Sequence, residues 1–294
     1  MLRAAICLAS CRAHGGTIDD ALDSAVAIEL LHNAFMIHDD IEDDSFVRRG
    51  RPTLHAEHGV PIALNVGDAL SFLSLGPLLD NAHRLGHEVA WMIMHEFFEV
   101  VARTIEGQAI ELGWMRDDVF DLDERDYLQM VLLKTCWYTT ILPCRVGKLA
   151  ATGSLGPKDH VQFGTYFGTS FQVRDDVLNL DGDLSEYGKE IGGDIREGKR
   201  TMMLLHLLDA GSDCERREVQ ELYRRPREDR DDAAISRVID LMRSHGSIAH
   251  AAASSNGLAG AALAQFDAEF GHLPDSDDKR FLRELVLHLA GRDR

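Results

Sequence analysis

Between Asp39 and Asp44 the chain packs five acids into six residues, straight after a run rich in Ala, Leu and Ile that holds neither Pro nor Gly. In that run apolar residues at 22, 25, 26, 30, 34 and 37 recur at helical spacing, and Ala27, Ile28, Leu31 and Phe35 cover the other sides. A helix apolar nearly all round is a buried one. A buried helix therefore ends in carboxylates. Asp39 and Asp43 share one face, about 6 Å apart along the axis. Like charges at that spacing repel, and anions at a helix C-terminus oppose its dipole. A hard divalent cation offsets both costs, and Mg²⁺ takes one or two carboxylates together with substrate phosphates. Arg48 and Arg49 follow within reach of the same phosphates. The motif alone leaves two readings open, a Mg²⁺–diphosphate site and a solvated acidic turn.

A second stretch favours the first reading. Phe171-Gln172-Val173-Arg174-Asp175-Asp176-Val177-Leu178-Asn179 follows another apolar, helix-like segment. It again sets an acidic pair and a polar residue, Asn179, at helical spacing. Two such clusters facing each other are able to hold several metal ions around one diphosphate.

The two motifs resemble the first and second aspartate-rich motifs of the trans-isoprenyl diphosphate synthases, or polyprenyl synthetases, and are similar to those of geranylgeranyl diphosphate synthases. The likeness continues in family order. Glu29-Leu30-Leu31-His32 precedes the first motif, and Arg48-Arg49-Gly50-Arg51-Pro52-Thr53 follows it. Gly107-Gln108, Lys134-Thr135, Gly188-Lys189 and Asp194-Ile195-Arg196-Glu197-Gly198-Lys199-Arg200-Thr201 complete the set. Each piece is weak alone; the ordered combination, spread over nearly the whole chain, is specific.

The resemblance implies head-to-tail prenyl transfer. An allylic diphosphate ionises, isopentenyl diphosphate attacks the cation, and a proton leaves. It implies Mg²⁺, three ions with substrate bound, held by Asp39, Asp40 and Asp43 on one wall and by Asp175, Asp176 and Asn179 on the other. Arg48, Lys134, Lys189 and Lys199 match positions for the allylic diphosphate. Arg3, Arg49 and His32 match positions for isopentenyl diphosphate. Lys134, Thr135 and Gln172 match the catalytic centre, with Thr135 and Gln172 near the reacting carbons. The family's fold is an antiparallel helical bundle that dimerises, so a homodimer is expected. Asn179 stands where many members have Asp. The family's opening Gly-Gly-Lys segment and the helix before it have no counterpart ahead of Met1-Leu2-Arg3-Ala4, so residues 1–294 read as one synthase domain lacking that helix and the start of the basic motif. In the family, bulky residues four and five positions before the first Asp shorten the product. Those positions are Phe35 and Ala34; small Ala34 favours a C20 product, with Phe35 expected to point elsewhere.

Composition narrows the alternatives. A net charge of −18 argues against nucleic acid and against an acidic membrane surface. Local cations must then draw an anionic substrate against an unfavourable global field. Five cysteines without a CxxC pair suit a reducing cytoplasm, with Cys7 and Cys11 filling core on one helix face. No apolar run is read as a membrane span, and no signal peptide is read.

The patterning predicts an all-α, single-domain bundle around a central cavity. Helices are expected over 2–13, then up to the first motif after a Thr17–Asp20 cap, and over 62–75, ending at Gly76-Pro77. The next, over 86–112, should bury Trp91, Met94, Phe98, Val101, Ile105 and Ile110. Further helices are expected over 124–152 with a kink at Pro143, and over 157–181, 200–210, 215–224, 233–270 and 276–290. Residues 224–232 read as a solvated linker. His38, His55 and His58 read as structural or orienting residues. Competing activities are a farnesyl or longer-chain synthase, a terpene cyclase, and a non-catalytic subunit of a heteromeric prenyltransferase.

Overall fold

A computed structural model describes residues 1–48, 50–181 and 192–290, without the side chains of residues 181 and 290. Arg49 and Lys189, both expected at the diphosphates, lie outside the described residues. The chain is a bundle of α-helices, with one two-stranded ribbon pairing Val47–Arg48 against Arg51–Pro52.

Helix α1 spans Leu2–Ala13 and α2 spans Ile18–Glu42. Thr17 caps α2 in a capping box with Asp20, as its sequence predicts. After the ribbon come α3 (Leu54–His58), α4 (Val60–Leu73), α5 (Leu75–Leu85) and α6 (His87–Arg116). The break between α4 and α5 falls at Ser74, so Gly76-Pro77 begin a helix rather than end one. Proline is tolerated in a first turn because the donor it lacks has no intrahelical partner there.

Residues 124–152 are not one kinked α-helix. Glu124–Val131 is α-helical (α7), Leu132–Ile141 is a π-helix, and Leu142–Thr152 is α-helical again (α8). Pro143 sits in the first turn of α8, where the wide π turns give way. Helix α9 spans Val161–Asp181. The helices Gly193–Glu197, Met202–Ala210, Asp213–Tyr223, Asp232–Ser244, Ser247–Phe270 and Asp277–Ala290 follow.

Three apolar clusters bind the bundle, and they share helices. One joins α1, α2, α6 and α8 through Cys7, Ile28, Phe97 and Leu142. A second joins α1, α9 and the last two helices through Ile6, Phe163, Phe266 and Leu282. The third joins α7, the π-helix and the C-terminal half of α9 to the helices between 193 and 244, through Tyr127, Val173 and Leu204. Burial pushes the thiols of Cys11 and Cys136 up to about 12, so they act as apolar filling.

Helix α6 buries only part of the expected face: Met94 is buried and Val101 and Ile110 pack against the core. Ile93, Phe97 and Val100 point inward, whereas Trp91 is 71% exposed, Phe98 53% and Ile105 56%. The helix is apolar on two sides, and periodicity alone does not say which side meets the core. The outer side continues onto α4 and α5, where Phe72, Leu73 and Leu79 are exposed. The stretch Val60–Leu85 is long and apolar enough to cross a membrane by length and composition, which the chain's expected lack of a span did not anticipate.

Candidate active site

The acids of the first motif close the C-terminal end of α2, and Asp39, Asp40 and Asp43 each engage a cation. Arg48 donates from Nε to Asp40 Oδ1 at 2.6 Å and from Nη2 to Asp39 Oδ2 at 3.3 Å. Lys134, from the π-helix, donates to Asp39 Oδ1 at 3.3 Å and to Glu111. Lys199 donates to Asp43 Oδ2 at 2.6 Å and lies 2.7 Å from Glu197. Burial alone would lower Lys134, but Glu111 and Asp39 more than offset it and hold the ammonium firmly charged. Burial pushes the Asp43 carboxyl up, and Lys199 pulls it back only in part. Burial likewise raises Asp40 against the pull of Arg48.

The backbone geometry explains how Lys134 arrives. A Cβ on Gly107 would overlap the backbone nitrogen of Lys134, so only glycine lets α6 touch the π-helix there. That contact places Glu111, one turn further along α6, against the ammonium of Lys134. This is what the Gly107-Gln108 motif does locally; Gln108 itself donates to Glu42 at 2.6 Å.

The second motif is built differently. Asp176 is buried, and its two oxygens accept from the Tyr127 hydroxyl at 2.7 Å and from Gln172 Nε2 at 2.8 Å. Gln172 Oε1 accepts from the Thr135 hydroxyl at 3.0 Å. Asn179 is 1% exposed, and its amide oxygen accepts from the Asp194 backbone N–H at 3.1 Å. The backbone carbonyl of Asn179 accepts from Gly192 N–H. Asn179 thereby ties α9 to the short helix that leads into Lys199.

Near α1, Arg3 and His32 meet around Tyr138. Arg3 Nη2 donates to the Tyr138 hydroxyl at 2.8 Å and to Thr139 Oγ1 at 2.9 Å, and its guanidinium lies 4.4 Å over the tyrosine ring. The His32 ring lies 6.0 Å from Tyr138, and Phe35 meets Tyr138 edge-on at 5.6 Å. Phe35 stands four residues before Asp39, hence on its face of the helix, so its bulk lies below the motif. His38 is turned toward α4, its Nε2 3.5 Å from Asp68, and His55 shares a 3.2 Å hydrogen bond with Thr53.

Several residues of this centre carried no motif signal. Glu111, Tyr127 and Tyr138 sit within ordinary helical patterns. The stretch 224–232 is not a solvated linker: Arg230 is buried and donates to the carbonyls of Tyr223, Arg225 and Arg196, and Arg227 donates to the Asp43 carbonyl at 3.2 Å. Four arginines among nine residues look solvated until their carbonyl partners are known.

The donor set suits a hard cation. Asp43 Oδ1 is a buried carboxylate oxygen with no hydrogen-bond partner among the described residues. Among the described residues no group of three acids, histidines or cysteines is placed to hold an ion unaided. Mg²⁺ itself takes few carboxylates and draws its remaining ligands from phosphate oxygens and water.

An all-α bundle with acid-rich helix ends and convergent cations is the architecture of an isoprenoid synthase. The chain belongs to the polyprenyl synthetase family, whose model matches residues 1–242. It is 30% identical over 244 residues to a geranylgeranyl diphosphate synthase of Saccharolobus solfataricus, covering 83% of this chain and 72% of that one. It is 32% identical over 273 residues to heptaprenyl diphosphate synthase component 2 of Geobacillus stearothermophilus, covering 92% and 75%. Its fold is similar to that of a geranylgeranyl pyrophosphate synthase from Corynebacterium glutamicum complexed with isoprenyl diphosphate and magnesium: TM-score 0.88, 25% identity, 99% of this chain and 86% of that one. The protein is a prenyltransferase of a magnesium-dependent family.

Proposed function

We propose that this chain joins isopentenyl diphosphate to an allylic diphosphate head to tail, with geranylgeranyl diphosphate as its main product. The observation that carries the proposal is the mesh of Arg48, Lys134 and Lys199 with Asp39, Asp40, Asp43 and Glu111. Asp39 and Asp43 would hold Mg²⁺ from one wall and Asp175 from the other, around three ions. Bound Mg²⁺ supplies concentrated positive charge to the leaving diphosphate. Arg48, Lys134 and Lys199 orient that diphosphate, with Lys189 as a further contact. Arg3, His32 and Arg49 hold isopentenyl diphosphate. Thr135 and Gln172 present oxygen dipoles to the developing allylic cation. Asp40, Asp176 and Asn179 serve the protein partners already described.

Ala34 leaves room for a C20 tail, while Phe35 narrows the path beside Tyr138. Phe35→Ala should lengthen the main product by at least one isoprene unit, and Ala34→Phe should shorten it. An unchanged product distribution in both variants would move the limit to another helix.

The exposed apolar face of α4, α5 and α6 is the surface we assign to a homodimer; Trp91→Glu with Phe98→Glu should give monomers by light scattering. Five free cysteines, four of them buried, support a cytoplasmic location. The functional test is to incubate the purified chain with labelled isopentenyl diphosphate and each allylic primer, with Mg²⁺ and with chelator. Product with Mg²⁺ alone is expected. No product until a partner subunit is added would make this chain a component of a heteromeric enzyme.

A further inference from the structure

Tyr127 lies on α7, 1% exposed, inside the apolar cluster of Met130, Val173 and Val177. Its hydroxyl is the only polar atom of its side chain, and that hydroxyl donates to Asp176 Oδ2. The remaining Asp176 oxygen receives the amide N–H of Gln172, and the Gln172 carbonyl receives the Thr135 hydroxyl. The four side chains form one chain of bonds across α7, α9 and the π-helix.

The polarity of the chain is forced from one end. A carboxylate only accepts, so the amide of Gln172 must turn its NH₂ toward Asp176. Its carbonyl must then turn toward Thr135, whose single proton it receives. A flipped amide would set carbonyl against carboxylate and leave a buried donor without a partner, a costly arrangement at low dielectric. Asp176 can hold that orientation only while it is itself held, and Tyr127 is its second anchor.

We infer that Tyr127 is a positioning residue for prenyl transfer, acting through Asp176 to fix the oxygen dipoles of Gln172 and Thr135, and that Asp176 serves as this acceptor rather than as a metal ligand. The inference rests on the reading above in which Gln172 and Thr135 face the reacting carbons. A fixed dipole matters most where charge develops, so its loss should slow the chemical step and leave ground-state binding alone.

The test uses the full chain with Mg²⁺, isopentenyl diphosphate and its preferred allylic primer. Tyr127→Phe keeps the ring and its packing and removes only the hydroxyl. Its kcat should fall about tenfold or more, with KM for both substrates and the Mg²⁺ half-saturation within twofold of wild type. In a Gln172→Leu background the same change should cost less than twofold, because the relay is already cut. Asp176→Asn, which supports the test if Tyr127→Phe does not fold, should lower kcat at unchanged Mg²⁺ half-saturation. Wild-type kcat in Tyr127→Phe, an equal loss in the Gln172→Leu background, or a raised Mg²⁺ requirement in Asp176→Asn would overturn the inference. An inactive wild-type chain would overturn the prenyl-transfer reading and the relay with it; an active wild type with an unaffected Tyr127→Phe would overturn the relay alone.

Discussion

The two acidic motifs look alike as sequence and are built on opposite principles. At the end of α2 three carboxylates meet cations. Asp39 meets Arg48 and Lys134, Asp40 meets Arg48, and Asp43 meets Lys199. On α9, Asp176 meets a phenol and an amide, and Asn179 meets a backbone N–H. The first wall is a set of ion pairs, each able to trade one partner for another. The second is a hydrogen-bonded frame in which a changed partner would leave a buried group unsatisfied. Among the described residues, the ion-paired acids Asp39, Asp40, Asp43, Glu111, Asp194 and Glu197 outnumber Arg48, Lys134, Lys199 and Arg227 by two. Each of those cations is already paired, so a diphosphate that draws them off leaves carboxylates for metal ions to neutralise. Charge exchange belongs to one wall and dipole alignment to the other.

The largest expected effect falls on the charged wall. Asp39→Ala should lower turnover by on the order of a thousandfold or more, since it removes a proposed metal ligand and the shared partner of two cations. The fold should survive, because Asp40 still holds Arg48 and Glu111 still holds Lys134. Circular dichroism should show unchanged helix content. Near-normal rates in this variant would erase the distinction between the walls.

A smaller effect should touch both walls together. Gly107→Ala puts a methyl group against the backbone of Lys134 and pushes the π-helix off α6. Overpacking of that kind costs about 1–3 kcal/mol. Because the π-helix carries Lys134 for one wall and Thr135 for the other, the variant should raise KM for the allylic substrate and lower kcat. A change in only one of these constants would mean the walls are not coupled through this helix.

The smallest effect should come from the far end of the bundle and spare both walls. His14 lies at the end of α1, with its ring nitrogen bonded to the Ser10 carbonyl and its ring edge-on to His160. Burial depresses it from 6.5 to about 4. Between those values the unfolded chain takes up a proton that the folded chain refuses. Stability linked to His14 is therefore full above pH 6.5, falls as pH drops toward 4, and levels off below. His14→Gln should flatten that part of the melting temperature profile while leaving turnover at pH 7 within twofold.

How much of this was legible in the sequence depended on the kind of signal. The α2 cap was readable because Thr17 and Asp20 satisfy donors three residues apart. The acid clusters and Lys134-Thr135 were readable because their spacing is local. The buried side of α6 was not, because Trp91, Phe98 and Ile105 are as apolar as Ile93, Phe97 and Val100. Nothing in a single chain's pattern separates a core face from a face left outward. The π-helix was hidden because its residues have ordinary helical propensity; only the close approach at Gly107 and the proline at 143 marked the region. Arg227 and Arg230 were misread because a guanidinium that serves distant carbonyls has the same local signature as a solvated one. The bond between Tyr127 and Asp176 left no local signature because the two lie 49 residues apart.

Carboxylates hold the cations of the first wall, which should pass to diphosphate only when metal comes with it. Calorimetric titration of inorganic diphosphate into the wild-type chain, with and without Mg²⁺, tests this directly. The expected result is saturable binding with Mg²⁺ and a loss of at least about a hundredfold in affinity without it, a difference of about 2.7 kcal/mol or more. Equal affinity in the two titrations would show that Arg48, Lys134 and Lys199 bind diphosphate unaided, and would contradict the account.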